Sequence, residues 1–242
     1  MSPTDAQTGS LLVVGAHPDD IEFGCGGVVV QETQLGRRAH FVVCSRGEAG
    51  SFGTPDIRTA EAKEGASILG ASIEFIELDG DAHLTINPSH ALKLARIIRT
   101  HRPSIVLAPT VVENQHPDHW RLGTLVRDAV RIARYGGVAE LKDAPPHSID
   151  QLLFYALAPD AEPRDSQPLL VDVSSPAVIA AWTAAMNAHA SQMQVRRYSD
   201  LCLARARVHG LRAGVEYSMA LFPNDPLVIG SLSQVSRGAR GF

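Results

Sequence analysis

Short apolar runs alternate with amphipathic segments along the first 135 residues of the chain. Apolar strands separated by helices are typical of βαβ units with a buried parallel sheet. Four such strands are predicted, at residues 11–15, 40–44, 73–78 and 105–108. The helices predicted after them span residues 26–35, 57–69, 89–100 and 118–134. Because βαβ crossovers are right-handed, this order predicts an α/β fold with a Rossmann-like, doubly wound, mostly parallel sheet and helices on both faces.

The remainder of the chain is less regular. Its predicted elements are strands at 152–156 and 169–173, and helices at 177–190 and 195–211. Three prolines in residues 158–168 predict a surface loop. No repeat, low-complexity tract or linker interrupts the sequence, so we expect a single domain over residues 1–242, with flexible ends at 1–9 and 236–242.

Composition narrows the class of protein. Hydrophobic residues make up 45% and charged residues 20%, as in soluble globular chains. The net charge of −4 gives no electrostatic reason to expect nucleic acid or an anionic membrane as a partner. The polar start lacks a basic region and does not resemble a secretory signal. Three widely spaced cysteines argue against a disulfide framework, so a reducing cytoplasm is expected.

Polar motifs follow each of the first four predicted strands. They are residues 17–20 (His-Pro-Asp-Asp), 45–48 (Ser-Arg-Gly-Glu), 79–81 (Asp-Gly-Asp) and 116–119 (His-Pro-Asp-His). Ligands of open α/β sheets bind outside the carboxyl ends of the strands. We therefore expect all four motifs at one edge of the sheet.

Two of these motifs carry metal-ligand chemistry. His17 and Asp20 lie three residues apart across a tight turn, and His119 could complete a set of two imidazoles and one carboxylate. Three protein ligands and an open position describe catalytic zinc. Asp19 is then placed to take a proton from an activated water molecule. His116, one helical turn before His119, could stabilise an oxyanion or donate to a leaving amine.

A purely structural interpretation exists for each motif taken alone. Asp19 or Asp20 could cap the following helix. Asp118, after Pro117, could be an ordinary helix start. The combination favours a metal site, because both imidazole motifs follow strands that end at the same predicted edge.

These motifs resemble those of the LmbE-like/PIG-L family of metal-dependent N-acetylglucosaminyl deacetylases. The family's Ala-His-Pro-Asp-Asp-x-Glu motif and its glycine-rich continuation stand at residues 16–27, and His-Pro-Asp-His stands at 116–119. Similarity extends to residues 58–62, 189–192 and 214–217. It covers nearly the whole chain and is closest to the bacillithiol-pathway branch.

The resemblance implies Zn²⁺ held by His17, Asp20 and His119, although ligand type alone does not separate Zn²⁺ from Fe²⁺ or another divalent ion. It further implies Asp19 as general base and His116 as the charge-stabilising partner. In this branch the proteins are often homo-oligomers, commonly trimers paired as hexamers.

The resemblance also suggests that Arg58, Asp81 and, more weakly, Glu48 contact the sugar. An arginine in the first turn of a helix opposes the helix dipole, which function could explain; the alternative is an exposed side chain. Glu48 and Asp81 could instead accept hydrogen bonds from loop backbone. One departure concerns the tyrosine that some members place before the second motif, where this chain has Asn114 and Gln115.

The same residues allow rival functions. A mononuclear Fe(II) oxygenase uses a similar triad, but usually on an antiparallel barrel. A nucleotide-binding turn at residues 24–27 lacks the Gly-x-Gly-x-x-Gly order directly after the first strand. The sequence predicts a cytoplasmic hydrolase that removes the acetyl group of an N-acetylglucosaminyl small molecule, using a metal-activated water. An amidase acting on thiol conjugates and a non-catalytic carbohydrate-binding protein are the alternatives.

Overall fold

The computed structural model describes residues 9–113, 116–194, 196–235 and 237–239. Within these ranges it contains seven strands: β1 (Leu11–Gly15), β2 (Ala39–Val43), β3 (Ala71–Phe75), β4 (Ile105–Pro109), β5 (Gln151–Tyr155), β6 (Leu169–Asp172) and β7 (Ser218–Pro223). It also contains six α-helices: α1 (Asp20–Gln34), α2 (Pro55–Ile68), α3 (Pro88–His101), α4 (Pro117–Ala133), α5 (Pro176–Ala188) and α6 (Tyr198–Ala213). The ends expected to be flexible, residues 1–9 and 236–242, lie mostly outside the described residues, which include only residue 9 and residues 237–239 of them.

The strands form one sheet in the order β3-β2-β1-β4-β5-β7-β6. Strands β1 to β5 are parallel, and β7 pairs antiparallel with β5 and β6. The predicted mostly parallel, doubly wound sheet is therefore confirmed. Leu11 pairs with both Ala39 and Ile105, so these strands begin level with one another and their carboxyl ends reach the same edge.

The core has two layers because successive strand residues face opposite sides of the sheet. Val13 belongs to the apolar cluster that includes buried residues of α1, α2, α5 and α6. Leu12 and Val14 belong to the cluster under α3 and α4. Each fully buried aliphatic side chain of this kind contributes about 1.5–3 kcal/mol. None of the helices in the described ranges has the length and apolar character needed to cross a membrane.

Helix α1 begins at Asp20, six residues before the predicted start at Gly26. The glycines that suggested a turn are helical positions packed against aromatic rings. A Cβ on Gly24 would lie 2.3 Å from the ring of Tyr155, and one on Gly26 would lie 2.8 Å from Trp182. Because residues 24–27 lie inside a helix, the interpretation of them as a nucleotide-binding turn is wrong.

Two further differences concern strands. The third strand is centred earlier than predicted, because the chain leaves the sheet after Phe75 while Leu78 stays buried beneath the next loop and extends the apolar pattern. Strand β7 was not predicted. It lies between β5 and β6, where its residues meet partners far away in the sequence.

Candidate active site and metal centre

Three donor groups converge at the carboxyl edge of the sheet. His17 follows β1, Asp20 begins α1, and His119 lies in the first turn of α4. Nδ1 of His17 lies 3.2 Å from Nε2 of His119 and 3.6 Å from Oδ2 of Asp20. Nε2 of His119 lies 3.1 Å from Oδ1 of Asp20. One ligand atom of each residue lies within 4.8 Å of the other two, and the two separations from Nε2 of His119 are close to the separation of about 3.3–3.6 Å between ligands bound tetrahedrally at about 2.0–2.2 Å. The three groups therefore suit one Zn²⁺-sized ion.

Asp20 is fixed in the orientation that such a ligand needs. Its Oδ2 accepts hydrogen bonds from the backbone N–H groups of Ala16 (2.7 Å) and His17 (2.9 Å), so Oδ1 faces His119. Although burial alone would raise the pKa of Asp20, the imidazoles of His119 and His17 lower it well below its usual value. The carboxylate is therefore ionised, which is the form that binds a metal.

Two further carboxylates orient the imidazole of His17. Its Nε2 lies 3.1 Å from Oδ1 of Asp81 and 3.4 Å from Oδ2 of Asp118. Metal-bound histidines commonly donate their other N–H to a carboxylate, which fixes the ring and the tautomer. Burial lowers the pKa of His17, but Asp20, Asp118 and Asp81 together raise it well above its usual value. The three carboxylates thus favour a positive charge at the imidazole of His17.

Asp118 was not assigned to the site from the sequence. It is 2% exposed, and its Oδ2 also accepts a hydrogen bond from the backbone N–H of Ala82 (2.7 Å). The signal was present, since Asp118 is the third residue of the His-Pro-Asp-His motif. Its position after Pro117 made an ordinary helix start equally consistent with the sequence.

Asp19 has a strained backbone, with φ at 138°. It occupies the N-cap position of α1, yet its side chain makes no capping hydrogen bond. Its Oδ2 instead accepts a hydrogen bond from Nη2 of Arg58 at 3.2 Å. A non-glycine residue in this region costs roughly 1–3 kcal/mol and points to a functional constraint.

The carboxyl of Asp19 has a perturbed acidity. Burial and the neighbouring charge of Asp20 raise the pKa of Asp19 to about 6, while Arg58 opposes the rise. An acid with a pKa near the working pH is suited to accept a proton during catalysis. Asp19 thus has both the position and the acidity expected of a general base.

Arg58 is buried, with 4% exposure, so the alternative of an exposed arginine is wrong. Its guanidinium donates to the backbone carbonyls of Gly47 (3.0 Å) and Pro18 (3.3 Å) as well as to Asp19. Its Nη1 also lies 4.0 Å from Oδ2 of Asp81. The predicted contact of Arg58 with a sugar stays a prediction.

The other two predicted sugar contacts lie on neighbouring loops. Asp81 is buried, and its Oδ2 accepts from the backbone N–H of Ala49 at 3.2 Å. Glu48 is exposed and accepts from the backbone N–H groups of Arg46 (2.9 Å) and Asp81 (2.8 Å). Glu48 thus ties two loops together, as the loop interpretation expects, and both sugar contacts stay predictions.

His116 lies beside the cluster of His17, Asp20 and His119 but is more exposed, with 37% of its side chain accessible. Its ring centroid is 4.5 Å from that of His17 in an edge-on arrangement. Its Nδ1 accepts a hydrogen bond from the backbone N–H of Asp118 at 3.4 Å, so the neutral ring carries its proton on Nε2. Burial and the charge of His17 lower the pKa of His116. Asn114 and Gln115, where a family tyrosine is replaced, lie outside the described residues.

A cleft of about 490 Å³ opens over these groups. Its polar lining includes His17, Asp19, Asp20, His116 and His119. Apolar and aromatic side chains also line it: Phe23, Leu157, Tyr198 and Leu201. Glu48 is not among the lining residues, whereas Arg58 and Asp81 are.

A family model described as PIG-L, GlcNAc-PI de-N-acetylase, matches residues 12–130. The matched segment contains both histidine–aspartate motifs and strands β1 to β4. Among solved structures, a conserved protein of Thermus thermophilus has a TM-score of 0.82 to this chain and is 32% identical to it. That likeness covers 95% of this chain and 100% of the other.

Two curated relatives carry different activities in their names. The diacetylchitobiose deacetylase of Thermococcus kodakarensis is 31% identical over 161 residues, covering 60% of this chain and 59% of its own length. The 4-oxalmesaconate hydratase of Pseudomonas putida is 30% identical over 152 residues, covering 57% and 58%. The chain thus matches about three fifths of the length of each relative.

Proposed function

The chain belongs to the PIG-L family, and on that premise we propose that it is a metal-dependent N-deacetylase. Its substrate is an N-acetylglucosaminyl small molecule, which it hydrolyses to acetate and a free amine. The observation that carries the proposal is the convergence of His17, Asp20 and His119 on one point beside the strained carboxylate of Asp19. Placement in the bacillithiol-pathway branch stays a prediction.

His17, Asp20 and His119 would hold the metal ion, with Zn²⁺ proposed and Fe²⁺ suited to the same donors. When bound, such an ion acts as a Lewis acid toward the amide carbonyl and lowers the pKa of a water molecule to about 7. Asp81 and Asp118 would keep the imidazole of His17 in the ligand orientation.

Asp19 takes the proton of the attacking water in this proposal. Arg58 donates a hydrogen bond to the carboxylate of Asp19. Its positive charge opposes the rise in the pKa of Asp19 and so favours the ionised carboxylate that accepts the proton. The protonated Asp19 can then give this proton to the amide nitrogen as the carbon–nitrogen bond breaks, so that the group leaves as a neutral amine. The three groups that would hold the ion take no part in this transfer.

His116 acts on the developing oxyanion. Because its Nδ1 accepts from the backbone of Asp118, its Nε2–H is available to the cleft as a hydrogen-bond donor. Its lowered pKa keeps the ring neutral near pH 7, so it stabilises the oxyanion as a donor rather than as a full cation.

The shape of the cleft supports a sugar with an attached group. The polar side chains that line it, Arg58 and Asp81 among them, can bind the acetamide and the ring hydroxyls. The side chains of Phe23, Leu157 and Leu201 suit an apolar part of the substrate. Glu48 contributes indirectly, by ordering the loop that carries Asp81.

A hydratase is the second candidate, favoured by the similarity to 4-oxalmesaconate hydratase. The same ion and base could add water to a carbon–carbon double bond conjugated with a carboxylate. Arg196, which lines the cleft, would then provide a partner for that carboxylate. An amidase acting on thiol conjugates would use the same residues as the deacetylase.

The deciding experiment is an acetate-release assay with purified protein and a panel of N-acetylglucosaminyl compounds, with Zn²⁺ or Fe²⁺ added after chelation. An acetylated thiol conjugate and a conjugated unsaturated dicarboxylate complete the panel, the latter followed by loss of ultraviolet absorbance. Metal-dependent acetate release from the sugars supports the deacetylase. Turnover of the dicarboxylate alone replaces it with the hydratase, and no metal-dependent turnover of any compound contradicts both.

We propose further that the protein acts in the cytoplasm as a homo-oligomer, a trimer or hexamer. All three cysteines are buried and unpaired, which suits a reducing compartment. Several large apolar side chains near the C-terminal end are exposed, including Val208 (58%), Leu211 (67%), Val228 (91%) and Leu232 (83%). Light scattering of the purified protein should give a mass of three or six chains; a monomer over the micromolar range contradicts this proposal.

A further inference from the structure

A second group of side chains that could bind a metal ion lies at the opposite edge of the sheet from the catalytic cleft. His40 is the second residue of β2, Glu74 belongs to the neighbouring strand β3, and His101 ends α3. One ligand atom from each lies within 4.8 Å of the others. No motif of the proposed deacetylase includes these residues, so the cluster calls for its own explanation.

The geometry centres on a single carboxylate oxygen. Oε1 of Glu74 lies 3.1 Å from Nε2 of His40 and 3.2 Å from Nε2 of His101. The two imidazole rings are stacked, with centroids 4.0 Å apart and planes inclined by 17°. Two nitrogen atoms from different elements are thus directed at one oxygen.

The hydroxyl of Ser72 can serve either tautomer of His40, because it lies 2.7 Å from Nδ1 of His40 and 3.4 Å from the backbone carbonyl of Ala39. With the ring proton on Nε2, His40 donates to the carboxylate of Glu74 at 3.1 Å. With the proton on Nδ1, His40 donates to Ser72, and Nε2 offers a lone pair. The second tautomer is the form that binds a metal ion, with Ser72 holding the Nδ1–H group.

A divalent ion between the three atoms would bind the Nε2 lone pairs of both rings and the carboxylate oxygen of Glu74 directly, in place of the protons that the rings otherwise share with Glu74. Tetrahedral bonds of about 2.0–2.1 Å need ligand atoms about 3.3–3.4 Å apart, close to the observed separations. Two imidazoles and one carboxylate select transition metals such as Zn²⁺, Co²⁺ or Ni²⁺ over Mg²⁺ and Ca²⁺.

We propose that His40, Glu74 and His101 form a second binding site for a transition-metal ion. The three side chains are partly exposed, at 18%, 38% and 31%, so an ion can enter from solvent. A cleft of about 340 Å³ beside them is lined by His40, His101 and Arg38, and it gives room for a water molecule or an anion as a fourth ligand. The bound ion links the edge strand β3 and its neighbour β2 to the end of α3.

The test is the metal content of the whole chain, measured by mass spectrometry after equilibrium dialysis against Zn²⁺. The variants are H119Q, which disrupts the catalytic cluster, and H40Q/H101Q, which disrupts the second cluster. H147Q is the matched control, because His147 is a partly buried histidine outside both clusters that bonds the backbone of Pro103. Circular dichroism checks that each variant is folded.

We expect H40Q/H101Q to bind one Zn²⁺ fewer than the parent protein, both alone and in the H119Q background, while H147Q loses none. The isosteric variant E74Q should lose the same ion even if the double histidine variant folds poorly. Unchanged metal content in H40Q/H101Q or E74Q overturns the proposal, because the cluster would then share only protons. Loss of an ion in H119Q tests the proposed catalytic metal centre and not the second site. The proposal of a second metal site can therefore fail while the proposed function stands, and the reverse.

Discussion

The carboxylate of Asp19 accepts a hydrogen bond from the buried guanidinium of Arg58 at 3.2 Å, while the backbone of Asp19 is held at φ 138°. This pairing turns the carboxylate away from the helix end that it would otherwise cap. It also places the negative charge beside, but outside, the three groups that can hold a metal ion. A base that remains free of the metal is what hydrolysis by an activated water requires.

Replacing Asp19 with Asn should lower kcat by about 10²–10⁴, because the amide cannot accept the proton of the attacking water. Zn²⁺ content should stay near that of the parent protein, since Asp19 is not one of the proposed ligands. Acetate release and metal analysis on the same sample measure the two effects. Turnover within a few-fold of the parent protein would remove Asp19 from the role of base.

Replacing Arg58 with Gln should raise the pKa of Asp19, because the guanidinium is a positive charge that lowers it. The base works only when ionised, so the acid limb of the kcat/KM profile should move to higher pH. Arg58→Lys keeps the charge and should shift the limb less. An acid limb at the same pH in both variants would show that Arg58 does not act on Asp19.

Replacing Asp118 with Asn should weaken Zn²⁺ binding by about 10–100-fold, because the carboxylate that orients His17 is lost while the three ligands remain. Competition with a chromophoric chelator measures the affinity. Asp128→Asn, in the later part of the same helix and only partly buried, is the matched control. Equal affinities for both variants would restrict Asp118 to a structural role in starting α4.

Replacing Gly24 with Ala should destabilise the fold by about 1–3 kcal/mol, since the added methyl would meet the ring of Tyr155 at 2.3 Å. That ring cannot easily move, because it is fully buried and its hydroxyl donates to the carbonyl of Val14 at 2.8 Å. Gly137→Ala is the control, with no atom within 4 Å of the added Cβ. Thermal unfolding should give a lower Tm for G24A, by roughly 2–4 °C per kcal/mol; equal Tm values would argue against close packing at α1.

Much of the fold follows from local pattern. Strands β1 to β4 and the helices after β2, β3 and β4 were predicted to within a few residues, because their apolar runs and helical spacing are set locally. The start of α1 was missed because Gly24 and Gly26 are selected by contact with Tyr155 and Trp182, which lie far away in the sequence. Strand β7 was missed because its place between two other strands depends on the whole sheet.

The site divides in the same way. The convergence of His17, Asp20 and His119 was predicted, since parallel strands bring their carboxyl ends to one edge. The support for His17 was not, because Asp81 and Asp118 reach it from distant parts of the chain. The burial of Arg58 was also beyond the sequence, as a first-turn arginine is equally compatible with solvent.

The most direct test of the central claim is an anomalous difference map at the zinc edge, from crystals of the protein loaded with Zn²⁺. We predict a peak about 2.0–2.2 Å from a ring nitrogen of His17, a carboxylate oxygen of Asp20 and Nε2 of His119, with the carboxylate of Asp19 outside bonding distance. A map with no peak among these three residues, or with Asp19 as a ligand in place of Asp20, would contradict the account.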